Sequence, residues 1–231
     1  MATIDAVCFD LDSTLCVSNQ SDEKIHREVF ERAGIEPFFE PSDLRSVDAA
    51  EIDTAESDAE FYANLYRATA KRVSAEPDPS LLAELGEITT DVVDQTDVSF
   101  REGAKKALTY ASERYELGLI TNGGRETQTA KLETLGIDDV FDVTVFCDPS
   151  AGIDPKPARE PFEKALSKLS AEAERTVYVG DAHSAGVVGA HEVGLQSVWV
   201  PPNHSGGTRS SDLDPEPTHR LESMAELPTV L

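Results

Sequence analysis

Two aspartates separated by a single residue, Asp10 and Asp12, end an apolar run near the amino terminus, in the stretch AVCFDLDSTLC. Carboxylates that crowd together repel each other, and each raises the pKa of the other unless a cation joins them. A buried strand that ends in two carboxylates therefore predicts a site for nucleophilic, acid–base or metal chemistry rather than a structural role.

Three other stretches place chemically capable side chains where an apolar run ends or a helix begins. They are Thr121, Asn122 and Gly123 at the end of LITNGG, Asp181 at the end of TVYVGD, and Lys156 in DPKP. In a parallel sheet the carboxyl ends of the strands share one edge, and ligands bind beyond that edge. We therefore expect these residues to converge with the two aspartates.

The converging residues divide into a cation side and an anion side. Asp10 and Asp181 are an all-oxygen pair suited to Mg²⁺, which keeps several waters and takes only one or two protein carboxylates. The anion side offers donors and a positive charge: the Thr121 hydroxyl, the amides of Asn122 and Gly123, and the Lys156 ammonium. Phosphoryl transfer requires this arrangement, and a carboxylate within it can attack phosphorus and form an aspartyl-phosphate.

Alternating strands and helices must position these residues. After residue 97, strand-like runs (ELGLITNGG, FDVTVFC, TVYVGD and, as the last strand, LQSVWV) alternate with helix-like segments (AKKALTYASERY, RETQTAKLETLGI, EPFEKALSKL and AGVVGAHEV). Strands that alternate with helices predict an α/β fold with a doubly wound, Rossmann-like parallel sheet that is covered on both faces.

The segment between the first motif and this α/β region has a different character. SDEKIHREVFERAGI, AEFYANLYRATAKRV and SLLAELGEITTDVV each carry apolar residues at helical spacing, and the segment holds no strand candidate. The sequence therefore predicts an α/β core domain made of residues 1–17 and 97–231, with an inserted all-helical domain at residues 18–96.

These motifs also carry a family resemblance. DLDST, LITNG, KP and VGD follow one another in the order and approximate spacing of the haloacid dehalogenase-like superfamily, and together they are highly specific for it. The chain resembles that superfamily over nearly its whole length, and the helical insert is similar to its cap domain. The resemblance implies a hydrolase that acts on the phosphate monoester of a small metabolite.

The resemblance also implies a role for each motif residue. Asp10 would be the nucleophile, and Asp12 would protonate the leaving oxygen, later activate water, and bind Mg²⁺ through its backbone carbonyl. Thr121 would bind the phosphoryl group, Lys156 would neutralise charge on it and on Asp10, and Asp181 would hold the metal. The dehalogenases of the superfamily lack an aspartate in the place of Asp12, which favours a phosphatase. A phosphomutase stays open, since its motif can carry both aspartates.

One position departs from the superfamily pattern. Members commonly carry a second acid four or five residues after the Gly-Asp motif, and Ala185 and Gly186 occupy those places here. The metal site would have one carboxylate fewer, with weaker Mg²⁺ binding or an outer contact from His183 or Ser184. The same departure leaves open a catalytically weak or inactive relative that binds a phosphorylated ligand.

Composition limits the partners. The chain has 44 acidic and 20 basic residues and a net charge of −24, so nucleic acid and anionic membranes would be repelled and a small-molecule phosphate ester is the expected partner. Dispersed acid with scarce lysine is typical of proteins from salt-saturated cytoplasms, where ions screen the self-repulsion. No apolar run is long enough for a membrane span, and the first residues lack the features of a secretory signal. We expect a soluble, cytoplasmic, halophilic protein, as a monomer or a dimer.

Overall fold

The protein is described by a computed structural model that covers residues 3–47, 51–201 and 213–231. The chain forms two compact units. The first consists of Met1–Val17, Val98–Asp148 and Gly152–Leu231, and the second of Ser18–Asp97 with Pro149–Ala151. No helix in the described part of the chain combines the length and the apolar character that a bilayer crossing requires.

The strands are short and mostly buried. In chain order they are β1 (Ala6–Phe9), β2 (Cys16–Ser18), β3 (Val98–Phe100), β4 (Glu116–Asn122), β5 (Val143–Cys147), β6 (Thr176–Gly180), β7 (Gln196–Trp199) and β8 (His219–Arg220). Six of them form one parallel sheet in the order β5-β4-β1-β6-β7-β8, while β2 pairs with β3. Strand β1 therefore lies inside the sheet, between β4 and β6.

The helices of the described residues alternate with these strands after the insert. They are α1 (Asp22–Ala33), α2 (Pro41–Arg45), α3 (Asp58–Arg72), α4 (Pro79–Val92), α5 (Ala104–Ser112), α6 (Arg125–Leu135), α7 (Arg159–Leu169) and α8 (Val188–Glu192). Helices α1 to α4 belong to the second unit, which we call the helical unit. Helices α5 to α8 belong to the first, which we call the α/β unit.

Both faces of the large sheet are buried, because successive residues of a strand point to opposite sides. Val7 and Phe9 of β1 face a core that includes residues of α5 and α6, whereas Cys8 faces a second core that includes residues of α7 and α8. This two-sided burial explains why the strands appear as nearly continuous apolar runs in the sequence.

The helical unit has an aromatic core of its own. Phe30, Phe39 and Tyr66 pack together with Leu85 and Val29, and all five are buried. Phe39 stacks on Tyr66 with a ring-centroid distance of 5.4 Å, and it meets Phe30 edge-on at 5.3 Å. Helices α3 and α4 pack against each other, and α1 packs on α4.

The expected fold class is confirmed: a parallel, doubly covered sheet with an inserted helical segment. Three details differ from the sequence-based expectation. LQSVWV is not the last strand, because β8 follows it. The elements β2, α2 and β3 were not predicted. The helix expected over AGVVGAHEV begins with a wide π-helical turn at His183–Val187 before α8. Elements of two to five residues carry too few positions for a periodic pattern to reveal them.

Candidate active site

The sheet register places the motif residues at one edge. Phe9, the last residue of β1, pairs with Leu119 of β4 on one side and with Val179 of β6 on the other. Asp10 follows Phe9, and its amide donates to the carbonyl of Val179 at 2.9 Å. Thr121 and Asp181 lie two residues beyond these partners on the neighbouring strands, so the ends of β1, β4 and β6 present their side chains together.

Asp10 and Lys156 form a buried ion pair. The Lys156 Nζ lies 2.7 Å from Asp10 Oδ1, which also accepts a 2.8 Å hydrogen bond from the amide of Leu11. The Lys156 side chain is 2% exposed. Within the described part of the chain, both of these contacts of the Asp10 carboxylate use Oδ1, which leaves Oδ2 for chemistry.

The rest of the site holds Lys156 tightly in place. Its Nζ also donates to the Ile120 carbonyl at 2.8 Å and to the Tyr178 hydroxyl at 3.0 Å, so the three hydrogens of the ammonium have three partners. The Asn122 side chain forms two hydrogen bonds with the backbone of Lys156. Asn122 Oδ1 accepts from the Lys156 amide at 2.9 Å, and Asn122 Nδ2 donates to the Lys156 carbonyl at 3.4 Å. The side chain of Asn122 therefore positions Lys156.

Thr121 is fully buried at the end of β4, and its hydroxyl lies 2.9 Å from Nε2 of Gln128. Gly123 adopts a backbone φ of 125°, and a Cβ there would lie 3.0 Å from Gln128 Nε2. The position therefore favours glycine. The Gly123 amide, expected to be a phosphate donor, donates instead to the carbonyl of Cys147 at 3.2 Å. This hydrogen bond extends the β4–β5 ladder by one residue.

Asp12 is separated from the buried ion pair, and its side chain is 47% exposed. It lies on a turn in which the Leu11 carbonyl accepts hydrogen bonds from several following amides. Two residues of α6 contact its carboxylate: Lys131 Nζ lies 2.8 Å from Oδ1, and Gln128 Nε2 donates to Oδ2 at 2.8 Å. Neither α6 residue was identified from the sequence, because helical periodicity does not indicate which loop a helix face contacts.

Asp181 follows β6 and faces the same edge. Its Oδ1 accepts from the Thr14 hydroxyl at 3.1 Å, and its carbonyl accepts from Trp199 Nε1 at 2.7 Å. Burial and, second, the negative charge of Asp10 raise the pKa of Asp181 to about 7. Asp10 and Asp181 therefore form an oxygen-donor set in which a divalent cation would offset the charge that disfavours ionisation of Asp181.

The Tyr178 ring lies against the place where a second acid was expected. Ala185 and Gly186 are buried in the π-helical turn, and a Cβ on Gly186 would lie only 2.7 Å from Cε1 and 2.9 Å from the hydroxyl of Tyr178. An acid at position 186 would thus displace a fully buried ring that also contacts Lys156. His183 has a different partner, because its Nε2 pairs with the Pro215 carbonyl at 2.8 Å.

The donor set fits a cation that needs few protein ligands. Among the described residues, no group of three or more His, Cys, Asp or Glu side chains is arranged to hold a metal. Asp10 and Asp181 nevertheless provide carboxylate oxygens at one edge, and Mg²⁺ is commonly held by one or two carboxylates and several waters. The Asp12 carboxylate faces α6 instead, so any contribution of this residue would come from its backbone.

Known proteins resemble this chain in sequence and in fold. A family model described as haloacid dehalogenase-like hydrolase matches residues 4–194. A ribulose-1,5-bisphosphate 5-phosphatase from Halopiger xanaduensis is 29% identical over 98% of each chain. A pyrophosphatase, PpaX, from Halalkalibacterium halodurans is 34% identical over 49% of this chain and 50% of that relative. The magnesium-bound crystal structure of YfnB, a hydrolase from Bacillus subtilis, matches with a TM-score of 0.71 and 20% identity over 99% of each chain.

Proposed function

Because the chain belongs to the haloacid dehalogenase-like hydrolases, we propose that it is a Mg²⁺-dependent phosphomonoesterase that acts on small phosphorylated metabolites through an aspartyl-phosphate on Asp10. The observation that carries this proposal is the buried contact of 2.7 Å between Lys156 and Asp10 Oδ1. It keeps one carboxylate oxygen fixed, and it provides a positive charge next to the position where the phosphoryl oxygens would lie.

The two aspartates would share the chemistry. Oδ2 of Asp10 attacks phosphorus, the bond between phosphorus and the ester oxygen breaks, and the proton on Asp12 goes to that oxygen. Water then attacks the phosphorus of the aspartyl-phosphate and gives its proton to Asp12. The bond between Oδ2 and phosphorus breaks, which releases inorganic phosphate and restores the Asp10 carboxylate.

Thr121 would bind the phosphoryl group through its buried hydroxyl, and Lys156 would neutralise charge on the phosphoryl oxygens. The carboxylates of Asp10 and Asp181, with the backbone carbonyl of Asp12, would hold Mg²⁺. When bound, the metal supplies a Lewis acid that stabilises the charge on the transferring group. The presence of Asp12 supports phosphate-ester hydrolysis over dehalogenation, because departure of an ester oxygen requires a proton.

The names of the relatives suggest the substrate class. Ribulose-1,5-bisphosphate and pyrophosphate are small polyanions, and Lys156 with a bound divalent cation would supply the positive charge that such compounds require. We further propose that the helical unit is the cap domain that selects among such esters. The net charge of −24 supports function in a salt-rich cytoplasm, where screening reduces the repulsion between acidic side chains.

Phosphate release tests the proposal. p-Nitrophenyl phosphate, ribulose-1,5-bisphosphate, other sugar phosphates and pyrophosphate would be assayed in high KCl, with Mg²⁺ and with EDTA. We expect Mg²⁺-dependent release that Asp10→Asn lowers by about 10,000-fold or more. Asp5→Asn is the matched control, since Asp5 is exposed and its carboxylate forms an ion pair with Arg175 at the surface. Unchanged turnover in Asp10→Asn would reject the assignment.

A further inference from the structure

The half-exposed carboxylate of Asp12 is held by side chains that are themselves buried. Lys131 contacts Oδ1 and Gln128 contacts Oδ2, each at 2.8 Å. The Lys131 side chain is 9% exposed and Gln128 is 2% exposed. Lysine and glutamine are seldom buried to this degree unless a partner compensates for lost hydration. Here the shared partner is Asp12.

Gln128 also connects Asp12 to the proposed phosphate site. Its Nε2 lies 2.9 Å from the Thr121 hydroxyl and 2.7 Å from the Asn122 carbonyl, besides its contact with Asp12. An amide nitrogen carries two hydrogens, so three acceptors share two donors. One side chain therefore sets the distance between Asp12 and the end of β4.

Residues 128 and 131 are three positions apart on α6, which places them on one face of the helix. The next residue of α6, Leu132, is buried in the same core as Val7 and Phe9 of β1, and this contact anchors the helix on the sheet. By contrast, Asp12 lies on the turn that follows β1, and without these contacts its side chain would sample several rotamers. A rigid helix thus determines where a loop carboxylate is held.

We propose that Gln128 and Lys131 are positioning residues that hold the Asp12 carboxyl group in place, so that the proton it carries can reach the leaving oxygen. The inference rests on the proposed phosphatase function and assigns these two side chains a part in it. Neither residue has to touch the substrate for this role. An error of about 1 Å in the placement of a catalytic group can lower a rate by about 100-fold.

Leaving-group dependence separates positioning from a general structural role. p-Nitrophenol departs readily as an anion, whereas phenol needs a proton from Asp12 as the bond breaks. The value of kcat/KM reports the steps up to formation of the aspartyl-phosphate and excludes its later hydrolysis. Phenyl phosphate and p-nitrophenyl phosphate have nearly the same shape, so a change in their ratio reports proton transfer rather than fit.

The principal variant is Lys131→Met, which keeps an apolar side chain of similar length in the same space. We expect kcat/KM for phenyl phosphate to fall by about 100-fold and that for p-nitrophenyl phosphate by less than about five-fold. Lys131→Arg should restore most of the loss, because it keeps the charge. Lys106→Met, at an exposed position of α5, is the matched control. Gln128→Leu is a second variant with the same expected pattern if Lys131→Met unfolds.

A double-mutant cycle completes the test. If Lys131 acts through Asp12, Lys131→Met has no further effect on kcat/KM for phenyl phosphate in an Asp12→Asn background. Equal losses with both esters, or an undiminished effect of Lys131→Met without Asp12, would overturn the inference. Retained turnover in Asp10→Asn would instead reject the proposed function, so the two failures are distinguishable.

Discussion

The α/β unit and the helical unit both bury polar side chains, but they bury different kinds. In the α/β unit the buried polar residues include three that carry charge, namely Asp10, Lys131 and Lys156. Among the described residues of the helical unit they are an imidazole, an amide and two hydroxyls, namely His26, Asn64, Thr69 and Thr89. The first set is concentrated at the end of a sheet, whereas the second is spread over the three helices α1, α3 and α4.

The helical unit satisfies its buried polar groups by local hydrogen bonds. His26 Nε2 pairs with the Phe39 carbonyl at 2.9 Å, and Asn64 Nδ2 donates to the carbonyls of Asp53 and Thr54. Thr69 donates to the carbonyl four residues earlier. These bonds connect helices to adjacent segments, so their role is to stabilise the fold of the unit.

In the α/β unit, the buried charged groups are arranged in an electrostatically less favourable way. Lys156 compensates Asp10, while the charge of Asp10 helps to raise the pKa of Asp181 to about 7. A stability-optimised sheet edge would not place two carboxylates together, since each disfavours the ionisation of the other. Charge burial of this kind is typical of functional sites. The contrast assigns chemistry to one unit and structural hydrogen bonding to the other.

The largest effect is expected at Lys156. Lys156→Met leaves Asp10 without its cation, and we expect kcat to fall by about 100- to 1,000-fold because charge on the phosphoryl oxygens is no longer neutralised. Loss of one partner of a buried pair should also lower the free energy of unfolding by about 3–5 kcal/mol. Steady-state kinetics and urea unfolding measure the two effects. Lys168→Met, at an exposed position of α7, is the control. Equal activity in the two variants would refute the proposed role of Lys156 in neutralising phosphoryl charge.

A pH-dependent effect is expected at Asp181. Its pKa of about 7 in the folded protein exceeds the value of about 3.9 for an unfolded chain, so the folded state binds the proton more tightly. The associated stability is present at low pH and is lost as pH rises from about 4 through about 7. In EDTA, the Tm of Asp181→Asn minus the Tm of the wild type should therefore increase as the pH rises through this range. A Tm difference that does not vary with pH would contradict the expectation, and Asp5→Asn should show no such trend.

The smallest effect is expected in the helical unit. The Thr89 hydroxyl donates to the Leu85 carbonyl at 2.6 Å and accepts from the Tyr66 hydroxyl at 2.6 Å. Thr89→Val leaves the buried Tyr66 hydroxyl without its acceptor and should lower the free energy of unfolding by about 1–3 kcal/mol. Tyr66→Phe is the matched variant with a smaller cost. Chemical denaturation measures the free energy of unfolding of both variants. Each variant should retain its turnover per folded molecule. A loss of turnover without a loss of stability would contradict the contrast between the two units.

The sequence was informative where a residue type coincides with the end of an apolar run. Asp10, Thr121 and Asp181 were placed at one edge because parallel strands align their carboxyl ends. The contacts of Gln128 and Lys131 with Asp12 could not be predicted, since helical periodicity does not say which loop a helix face meets. Likewise, the commitment of the Gly123 amide to Cys147 depends on the exact length of β4 and on its register with β5.

Position 186 shows the same limit. The sequence reveals a glycine at a place where the family resemblance implies an acid, but only the structure shows that the Tyr178 ring fills the space beside it. Tyr178 lies three residues before Asp181 in an apolar strand and carries no motif of its own. Its contact with Lys156 arises from packing across the sheet, which no local pattern reports.

Direct trapping of the intermediate tests the central claim. Wild-type protein and the Asp12→Asn variant would be mixed with Mg²⁺ and p-nitrophenyl phosphate, whose leaving group departs without a proton from Asp12. The mixtures would be quenched in acid, digested, and analysed by mass spectrometry. The account predicts a phosphoryl group on Asp10 that accumulates in Asp12→Asn, because this variant lacks the base that activates water. Phosphate release by the wild type with no phosphorylated Asp10 in either protein would contradict it.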